Sequence, residues 1–295
     1  MSKLFTEDTA QAMLAEMKKQ NNYLAQLTCE GTKALSESSG AGLHNSFFRG
    51  KNLGSALTAA QSAAIRAGTF DDMFVGDFWP MEVTYTYKDA NEVDQTVKAT
   101  VTFRIAGCDY YLGTGDLDSG LTAHHLVIVP DTVLYGARMN PTDTTEGGYV
   151  GSEMYTKTLA RAKALINAAF GSDHILTHRE ALCNGVTDGK PSVYPNGHAW
   201  FNSTVELMTE QMVYGGKVFA PTSDGDVVPS LYTVSKSQLP LFTYRPDMES
   251  TRSDWYWLRD VVSGLFFADV GYDGITYGIH ASNGTGGVRP AFLIY

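Results

Sequence analysis

The segments WYWLRD at residues 255–260 and GVRPAFLIY at residues 287–295 decide the fold of this chain. Both are short, rich in aromatic and aliphatic side chains, and preceded by polar residues and glycine, a pattern typical of β-strands. Each carries one arginine, and we expect Arg259 and Arg289 to anchor strand-end carboxylates or carbonyls rather than to bind a ligand. The same strand pattern predicts four aromatic core residues: Trp255, Trp257, Phe266 and Phe267.

Further strands are predicted upstream. Apolar and polar residues alternate over residues 81–87 and again over 97–105, around the polar stretch 89–95. Alternation with a period of two on both sides of a polar turn predicts a hairpin with one solvent-exposed face. Residues 125–135 form a more continuous apolar run and predict a deeply buried strand, with Pro130 marking an edge or a bulge.

Two helices are predicted after these strands. The first covers residues 152–170 and ends at Gly171. The second covers residues 203–214 and opens with Ser203 and Glu206 at the spacing of a capping box. Strands, then two helices, then many short strands predict an α+β fold rather than alternating βαβ units.

The two segments that open this section also resemble the "WLR … GVRPAF" ending of C-type-lectin-like domains. The run GTFDDMFVGDFW at residues 68–79 is similar to the opening strand of those domains. The resemblance implies a C-type-lectin-like domain over residues 68–295, with two helices flanking a mostly antiparallel sheet whose first and last strands pair. The residues that carry the ending are Trp255, Trp257, Arg259, Gly287, Arg289, Pro290 and Phe292.

Residues 149–154, 176–180 and 203–208 are similar to structural proteins of tailed phages from Gram-positive gut bacteria. This resemblance implies a virion protein made in the host cytoplasm, on the head or the tail, as a fibre, an appendage or a decoration. Its partners would be other virion proteins and a host-surface glycan or protein. We expect the binding face on three polar loops, where variation is tolerated: residues 140–148, 184–200 and 221–236.

Residues 1–67 precede the predicted domain and fit an attachment or oligomerisation segment. Residues 7–28 predict a helix with a narrow apolar seam, followed by a Gly-, Ser- and Asn-rich linker at 30–56. The helix either packs on its own domain or forms a short self-associating coil, with a homotrimer favoured. The seam residues assigned to oligomerisation are Met13, Met17, Gln20, Leu24 and Leu27.

Composition excludes several classes of protein. The 295 residues carry a net charge of −10, which disfavours binding to nucleic acid or to anionic membranes. No apolar stretch has the length of a transmembrane helix, so we expect no membrane insertion. Glu7 and Asp8 stand where a signal peptide would be apolar. Cys29, Cys108 and Cys183 form neither a disulfide framework nor a zinc pattern, and suit a reducing cytoplasm.

Candidate metal ligands are weak in this sequence. His124 and His125 are adjacent, so they point to opposite faces of a strand and are poorly placed to share a metal. His174 and His178 have the spacing of zinc ligands on a helix, but they follow a helix-ending glycine and read as strand or turn. Two Asp-x-Asp pairs lie in Gly-rich loops; we favour solvated turns over calcium and leave that choice open: Asp116 with Asp118, and Asp224 with Asp226.

Catalytic motifs are missing from the sequence. It has no GxSxG motif, Cys183 has no second cysteine nearby, and nothing singles out a carboxylate pair for glycoside cleavage. We therefore expect no enzymatic activity, no catalytic residue and no cofactor. Two alternatives to the binding function stay open: a cell-wall glycan hydrolase of a phage tail, and a decoration protein that binds nothing outside the particle.

Overall fold

The computed structural model describes residues 11, 13, 16–18, 20, 40–89, 91–116, 120–186, 195–220 and 237–295. The strands in these ranges are β1 (Phe78–Lys88), β2 (Asp94–Cys108), β3 (Leu126–Pro130), β4 (His178–Val186), β5 (Pro195–Ser203), β6 (Val205–Leu207), β7 (Tyr256–Val261), β8 (Phe266–Val270), β9 (Thr276–His280) and β10 (Pro290–Ile294). The α-helices there are α1 (Gly40–His44), α2 (Ala59–Ala67), α3 (Leu159–Phe170), α4 (Glu210–Tyr214) and α5 (Pro240–Tyr244). The predicted α+β class with mostly antiparallel sheets is confirmed.

The strands form three sheets. The largest has the order β1-β2-β3-β10-β6; β4 pairs with β5, and β7, β8 and β9 form a three-stranded sheet. Every pair of named strands is antiparallel. The predicted hairpin is confirmed by β1 and β2, with Met81 opposite Val101. Buried and exposed side chains alternate along the middle of β1, as a half-solvated sheet requires.

The first predicted helix is confirmed, but the deeply buried strand is confirmed only over residues 126–130, because residues 131–135 form bends and loop. The strand is internal to the sheet, so Pro130 marks its end rather than an edge strand or a bulge. All residues of β3 are buried, and Pro130 is its last residue, opposite Phe103. A π-helical turn at Met154–Thr158 leads into α3, which ends at Gly171. Phe170 of α3 packs edge-on against Phe103, which fixes the helix on the large sheet.

The core predictions for the last third are confirmed in part. Trp257 and Phe267 are fully buried, and the indole nitrogen of Trp257 donates to the carbonyl oxygen of Ala137 at 2.7 Å. Trp255 and Phe266 are half-buried at the margin of the same core.

Two residues of the GVRPAF ending join β10 to the core. Phe292 packs edge-on against Phe103 at a centroid distance of 5.7 Å, and Pro290 begins β10 opposite Leu207. The ending is therefore a strand at the centre of the molecule.

The expected pairing of the first and last strands is wrong. The last strand, β10, lies between β3 and β6, while β1 is the edge strand at the other side of the sheet. The backbone of β1 pairs with β2, its neighbour in sequence, and β3 pairs with the other side of β2. The remaining edge of β3 is therefore the one that pairs with β10. The expected opening strand is also shifted, because residues 68–77 form turns and the strand begins at Phe78.

The predicted helix at residues 203–214 is wrong over its first half. Ser203 ends β5, and Glu206 lies in β6 opposite Ala291 of β10. The helix begins only at Glu210, where the Thr209 hydroxyl caps it. A capping-box pattern is a weak local preference, and pairing with the open edge of β10 outweighs it.

Residues before the predicted domain pack against it. Within the predicted linker, Arg49 binds Asp77 at 2.5 Å, and the amide of Leu53 donates to the carbonyl oxygen of Phe78 at 2.8 Å. Residues from both sides of the boundary predicted at residue 67 therefore share one packed unit.

The predicted N-terminal seam is described only at scattered positions. Met13, Met17 and Gln20 are helical and exposed, with exposed fractions of 52% for Met13 and 59% for Met17. Leu24 and Leu27 lie outside the described residues, so self-association stays a prediction. None of the helices in the described part of the chain is long and apolar enough to cross a bilayer.

Gly287 occupies a position that admits no side chain. A Cβ atom there would lie 2.2 Å from a methyl carbon of Val133 and 2.8 Å from the carbonyl oxygen of Trp255. Gly284, three residues earlier, has no atom within 4 Å of such a Cβ.

We predict that Gly287→Ala lowers the free energy of unfolding by about 1–3 kcal/mol, because the methyl group overpacks a closed junction. Urea unfolding followed by tryptophan fluorescence measures the loss. Gly284→Ala is the matched control and should leave the stability near that of the wild type. Equal stability of the two variants would contradict the close packing at Gly287.

Candidate functional site

A buried ionic cluster lies where the three sheets meet. Arg259 of β7 binds Glu180 of β4 with Nη2 and Oε1 2.6 Å apart, and the other carboxylate oxygen is 2.6 Å from Nε2 of His178. Nη1 of Arg259 donates to the carbonyl oxygen of Leu207 in β6 at 3.4 Å. The expected anchoring role of Arg259 is confirmed.

This cluster is closed to large ligands. Burial raises the pKa of Glu180, but the charge of Arg259 and the hydrogen bond from His178 outweigh it and hold the pKa at about 2. Glu206 lines the same cavity; burial raises its pKa, and it accepts a hydrogen bond from Tyr149 at 2.9 Å. The cavity has a volume of about 10 Å³, which holds one water molecule but no sugar ring.

Arg289 is the second buried arginine, and its expected role as a carbonyl anchor is confirmed. Its Nε donates to Pro130 at 2.9 Å, and its Nη1 donates to Met248 at 3.1 Å and Glu249 at 2.8 Å. The guanidinium stacks over the ring of Tyr256 at 5.0 Å. Unlike Arg259, this side chain also borders a surface groove.

We call this surface groove the arginine groove; it has a volume of about 290 Å³. Arg245 binds Asp247 through two bonds of 2.7 Å, and Arg252 approaches the same carboxylate at 3.3 Å. Two guanidinium groups therefore share one carboxylate. The residues that define the groove are Asp131, Arg245, Asp247, Ser250, Arg252 and Arg289.

The β8–β9 hairpin carries an exposed apolar cluster at its turn and at the start of β9, which we call the tip patch: Tyr272, Ile275 and Tyr277. Their exposed fractions are 68%, 56% and 42%. Asp273 holds the turn in shape, since its carboxylate accepts from the Ile275 amide at 3.1 Å and from the Tyr277 hydroxyl at 2.9 Å. The patch is thus a fixed surface on a short hairpin.

One hydroxyl group joins the tip patch to the arginine groove. Ser250 donates to the carbonyl oxygen of Tyr272 at 2.7 Å and accepts from the amide of Arg252 at 2.7 Å. We call the two surfaces together the binding face. Its two parts carry exposed tyrosines and guanidinium groups, which are side chains suited to stacking on a ring and to binding an oxyanion.

A buried carboxyl group lies close to the tip patch. Asp269 of β8 is 2% exposed, and one of its carboxyl oxygens has no hydrogen-bond partner within the described residues. Burial raises its pKa to about 7, and the charges of Asp273 and Glu210 act in the same direction. Asp269 is therefore partly protonated near neutral pH.

The histidines singled out in the sequence do not form one site, although His124 and His125 both contact Asp109, with Nδ1 of His125 3.9 Å from one carboxylate oxygen. His124 binds Asp109 at 2.7 Å, and Nε2 of His125 lies 3.1 Å from the amide of Tyr111. His174 binds the carbonyl oxygen of Tyr295 at 3.1 Å, away from His178 in the buried cluster.

The aspartates weighed for calcium are only partly described. Asp116 is held by Arg179 through contacts of 2.6 and 2.7 Å, which engage both of its carboxylate oxygens. Asp118, Asp224 and Asp226 lie outside the described residues. Across the residues that are described, no group of three or more His, Cys, Asp or Glu side chains is placed to hold a metal ion.

Of the three loops expected to bind, residues 140–148 are fully described, and they do not contribute to the tip patch. In the loop 140–148, Asp143 binds Ser282 at 2.5 Å and His280 at 3.1 Å, at the opposite end of β9 from the tip patch. Residues 187–194 and 221–236 lie outside the described part of the chain. A signal for the tip patch was present, since Asp273 and Gly274 between two apolar strands predict a tight turn.

Comparison with protein-family models, with curated proteins and with solved structures finds no match to this chain. The geometry of the binding face and the sequence resemblance are therefore the observations available for assigning a function.

We predict that Glu180→Gln lowers the free energy of unfolding by about 3–5 kcal/mol, because it leaves the buried charge of Arg259 without its carboxylate. Chemical unfolding at pH 7 measures the change. Glu82→Gln is the control, because it breaks the exposed pair with Lys98 and should have little effect. A small effect of Glu180→Gln would show that the cluster does not hold the sheets together.

We predict that Asp269→Asn stabilises the chain more at pH 8 than at pH 5. The pKa of about 7 lies above the ordinary 3.8, so the folded state loses stability as pH rises from about 4 to 7. Asparagine cannot ionise and removes this loss. The melting temperature relative to wild type should differ between the two pH values by about 2–4 °C. Asp94→Asn, at an exposed residue, is the control, and the same shift at both pH values would contradict the assignment.

Proposed function

We propose that this chain is a structural protein of a tailed-phage virion and displays a C-type-lectin-like domain that binds a host-surface glycan or protein. The observation that carries the proposal is the binding face, in which Ser250 links a loop with an arginine-lined groove to a hairpin turn with exposed tyrosines. Binding by this face needs no catalytic group, no metal and no cofactor.

The WLR and GVRPAF segments support the lectin-like part of the proposal. Arg259 and Arg289, which carry the resemblance, are both buried anchors that join strands, and Gly287 fills a junction without space for a side chain. The residues that resemble the family thus specify the core of the domain. This leaves the surface turns available for recognition.

The tip patch supports the binding part of the proposal. Three large apolar side chains lie within six residues on one hairpin, and Tyr272 is 68% exposed. A soluble protein gains nothing in stability from exposing such residues, and clustered exposed apolar groups mark interaction sites. Tyrosine offers a ring for stacking and a hydroxyl for hydrogen bonding with few rotatable bonds to fix.

Weak single sites are sufficient for a displayed domain. If the predicted N-terminal seam brings three copies together, each binding event raises the effective concentration of the next one. We therefore propose an oligomer that binds through avidity, with a modest affinity for each binding face.

The proposal is tested by sedimentation of the full chain with purified cell walls from a panel of Gram-positive gut bacteria. We predict that the chain sediments with at least one wall type and that Tyr272→Ala reduces the bound fraction severalfold, because it removes an exposed ring from the face. Val93→Ala is the control, since Val93 is 53% exposed on a different hairpin.

Two outcomes would contradict the proposed function. If the chain sediments with none of the walls, the result would favour a decoration protein that binds nothing outside the particle. Release of soluble reducing sugar from the walls would favour the hydrolase alternative. Mass spectrometry of purified phage particles tests the virion assignment separately, because a structural protein must be present in them.

A further inference from the structure

We propose that the arginine groove binds an oxyanion, either a phosphodiester or a carboxylate, carried by the repeating unit of a surface polymer. The inference rests on the proposed function, since it names the ligand chemistry of the same binding face. The tip patch would contact the uncharged part of that repeat.

The first argument is the charge balance of the groove. Asp247 is the shared partner of Arg245 and Arg252, so one negative charge faces two positive charges at its rim. Asp131, the second carboxylate of the groove, is held by Arg104 outside it through bonds of 2.7 and 2.6 Å. The groove therefore keeps an excess of positive charge that an anionic ligand would neutralise.

The second argument is accessibility. The side chain of Arg252 is 75% exposed and that of Arg245 is 37% exposed, so both guanidinium groups can be reached from solvent. A guanidinium presents a planar set of N–H donors that matches the two oxygens of a carboxylate or phosphate. Arg289 lines the groove as a buried residue and adds a third positive charge that its backbone partners do not neutralise.

The third argument is backbone strain at Arg252. Its φ of 64° lies in the left-handed region, which is unfavourable for a residue with a Cβ atom but readily adopted by glycine. The amide of Arg252 is held by the hydroxyl of Ser250, which also holds Tyr272. A large charged side chain at a position suited to glycine is consistent with a role for that side chain.

The size of the groove favours a single charged group. Its volume of about 290 Å³ is at the lower end for small-molecule sites, enough for one sugar-sized unit but not for an extended chain. The whole chain, groove included, is acidic, with a net charge of −10. At physiological salt these charges are screened beyond about 8 Å, so the groove determines the local attraction.

The test uses the full chain and four immobilised polymers in a biosensor: the anionic surface polymers poly(glycerol phosphate) and hyaluronan, neutral dextran, and polyglutamate to represent an acidic protein. Poly(glycerol phosphate) supplies the phosphodiester and hyaluronan the carboxylate, so the two arms separate the possible sources of the oxyanion. We predict binding to at least one anionic surface polymer at 0.15 M salt and none to dextran.

Two groove variants with opposite expected effects on the binding affinity make the test specific. We predict that Arg252→Gln weakens binding about fivefold, the value of one exposed ion pair. Asp247→Asn should strengthen binding, because it removes the internal competitor for both arginines. Lys98→Gln is the matched control, since it removes one positive charge from a distant, exposed strand and should leave binding unchanged.

Arg252→Gly separates binding from folding. Glycine relieves the left-handed backbone while it removes the guanidinium, so we predict a higher melting temperature together with weaker polymer binding. Equal effects of Arg252→Gln and Lys98→Gln on every polymer, or binding to dextran alone, would overturn the proposal. Binding to polyglutamate but to neither anionic surface polymer would replace the polymer with an acidic protein and would overturn it too.

The outcomes distinguish this inference from the proposed function. If the chain sediments with cell walls and Arg252→Gln does not change its binding, the proposed function is supported and the oxyanion site is contradicted. If the chain binds an anionic surface polymer through Arg252 but sediments with no cell wall, the oxyanion site is supported and the proposed function is contradicted.

Discussion

The buried ion pair between Arg259 and Glu180 is the constraint on which the rest of the structure depends. Removing two charges from water is expensive, and the pair is stable only where both partners and their hydrogen bonds are present together. Because Arg259 lies on β7, Glu180 on β4 and the accepting carbonyl of Leu207 on β6, satisfying the pair fixes three sheets relative to one another. His178 completes the arrangement by binding the second carboxylate oxygen.

The second buried arginine connects this core to the surface. Arg289 uses Nε and Nη1 on backbone carbonyls, stacks on Tyr256, and still borders the groove that contains Arg245 and Arg252. The loop that carries the exposed arginines is therefore held by the residue that directly precedes β10, an internal strand of the large sheet. Ser250 then connects this loop to the β8–β9 hairpin through its hydrogen bond to the carbonyl oxygen of Tyr272. The arginine groove and the tip patch are thus held in a fixed shape, which would lower the entropic cost of binding the proposed ligand.

The parts of the fold that the sequence predicted are those set by local pattern or by burial. The β1–β2 hairpin follows from strict alternation, α3 follows from its apolar face and Gly171, and the roles of Arg259 and Arg289 follow from charged groups in apolar strands. The capping box at Ser203 failed because sheet pairing to β10 is a long-range interaction that no local pattern encodes. The binding face was missed for the same reason: the exposure of Tyr272 depends on what packs beside it. Residue spacing alone cannot show that.

The edge of the large sheet has a consequence for crowding. β1 offers eleven residues at an outer edge, and an open edge of that length can recruit a strand from a neighbouring molecule. The chain blocks this edge at its start, where Leu53 and Lys51 hydrogen-bond to Phe78 and where Pro80 has no amide to donate. Two copies of the chain that meet at high concentration are thus hindered from pairing their sheets along this edge. Each domain can then stand beside its neighbours as a separate unit.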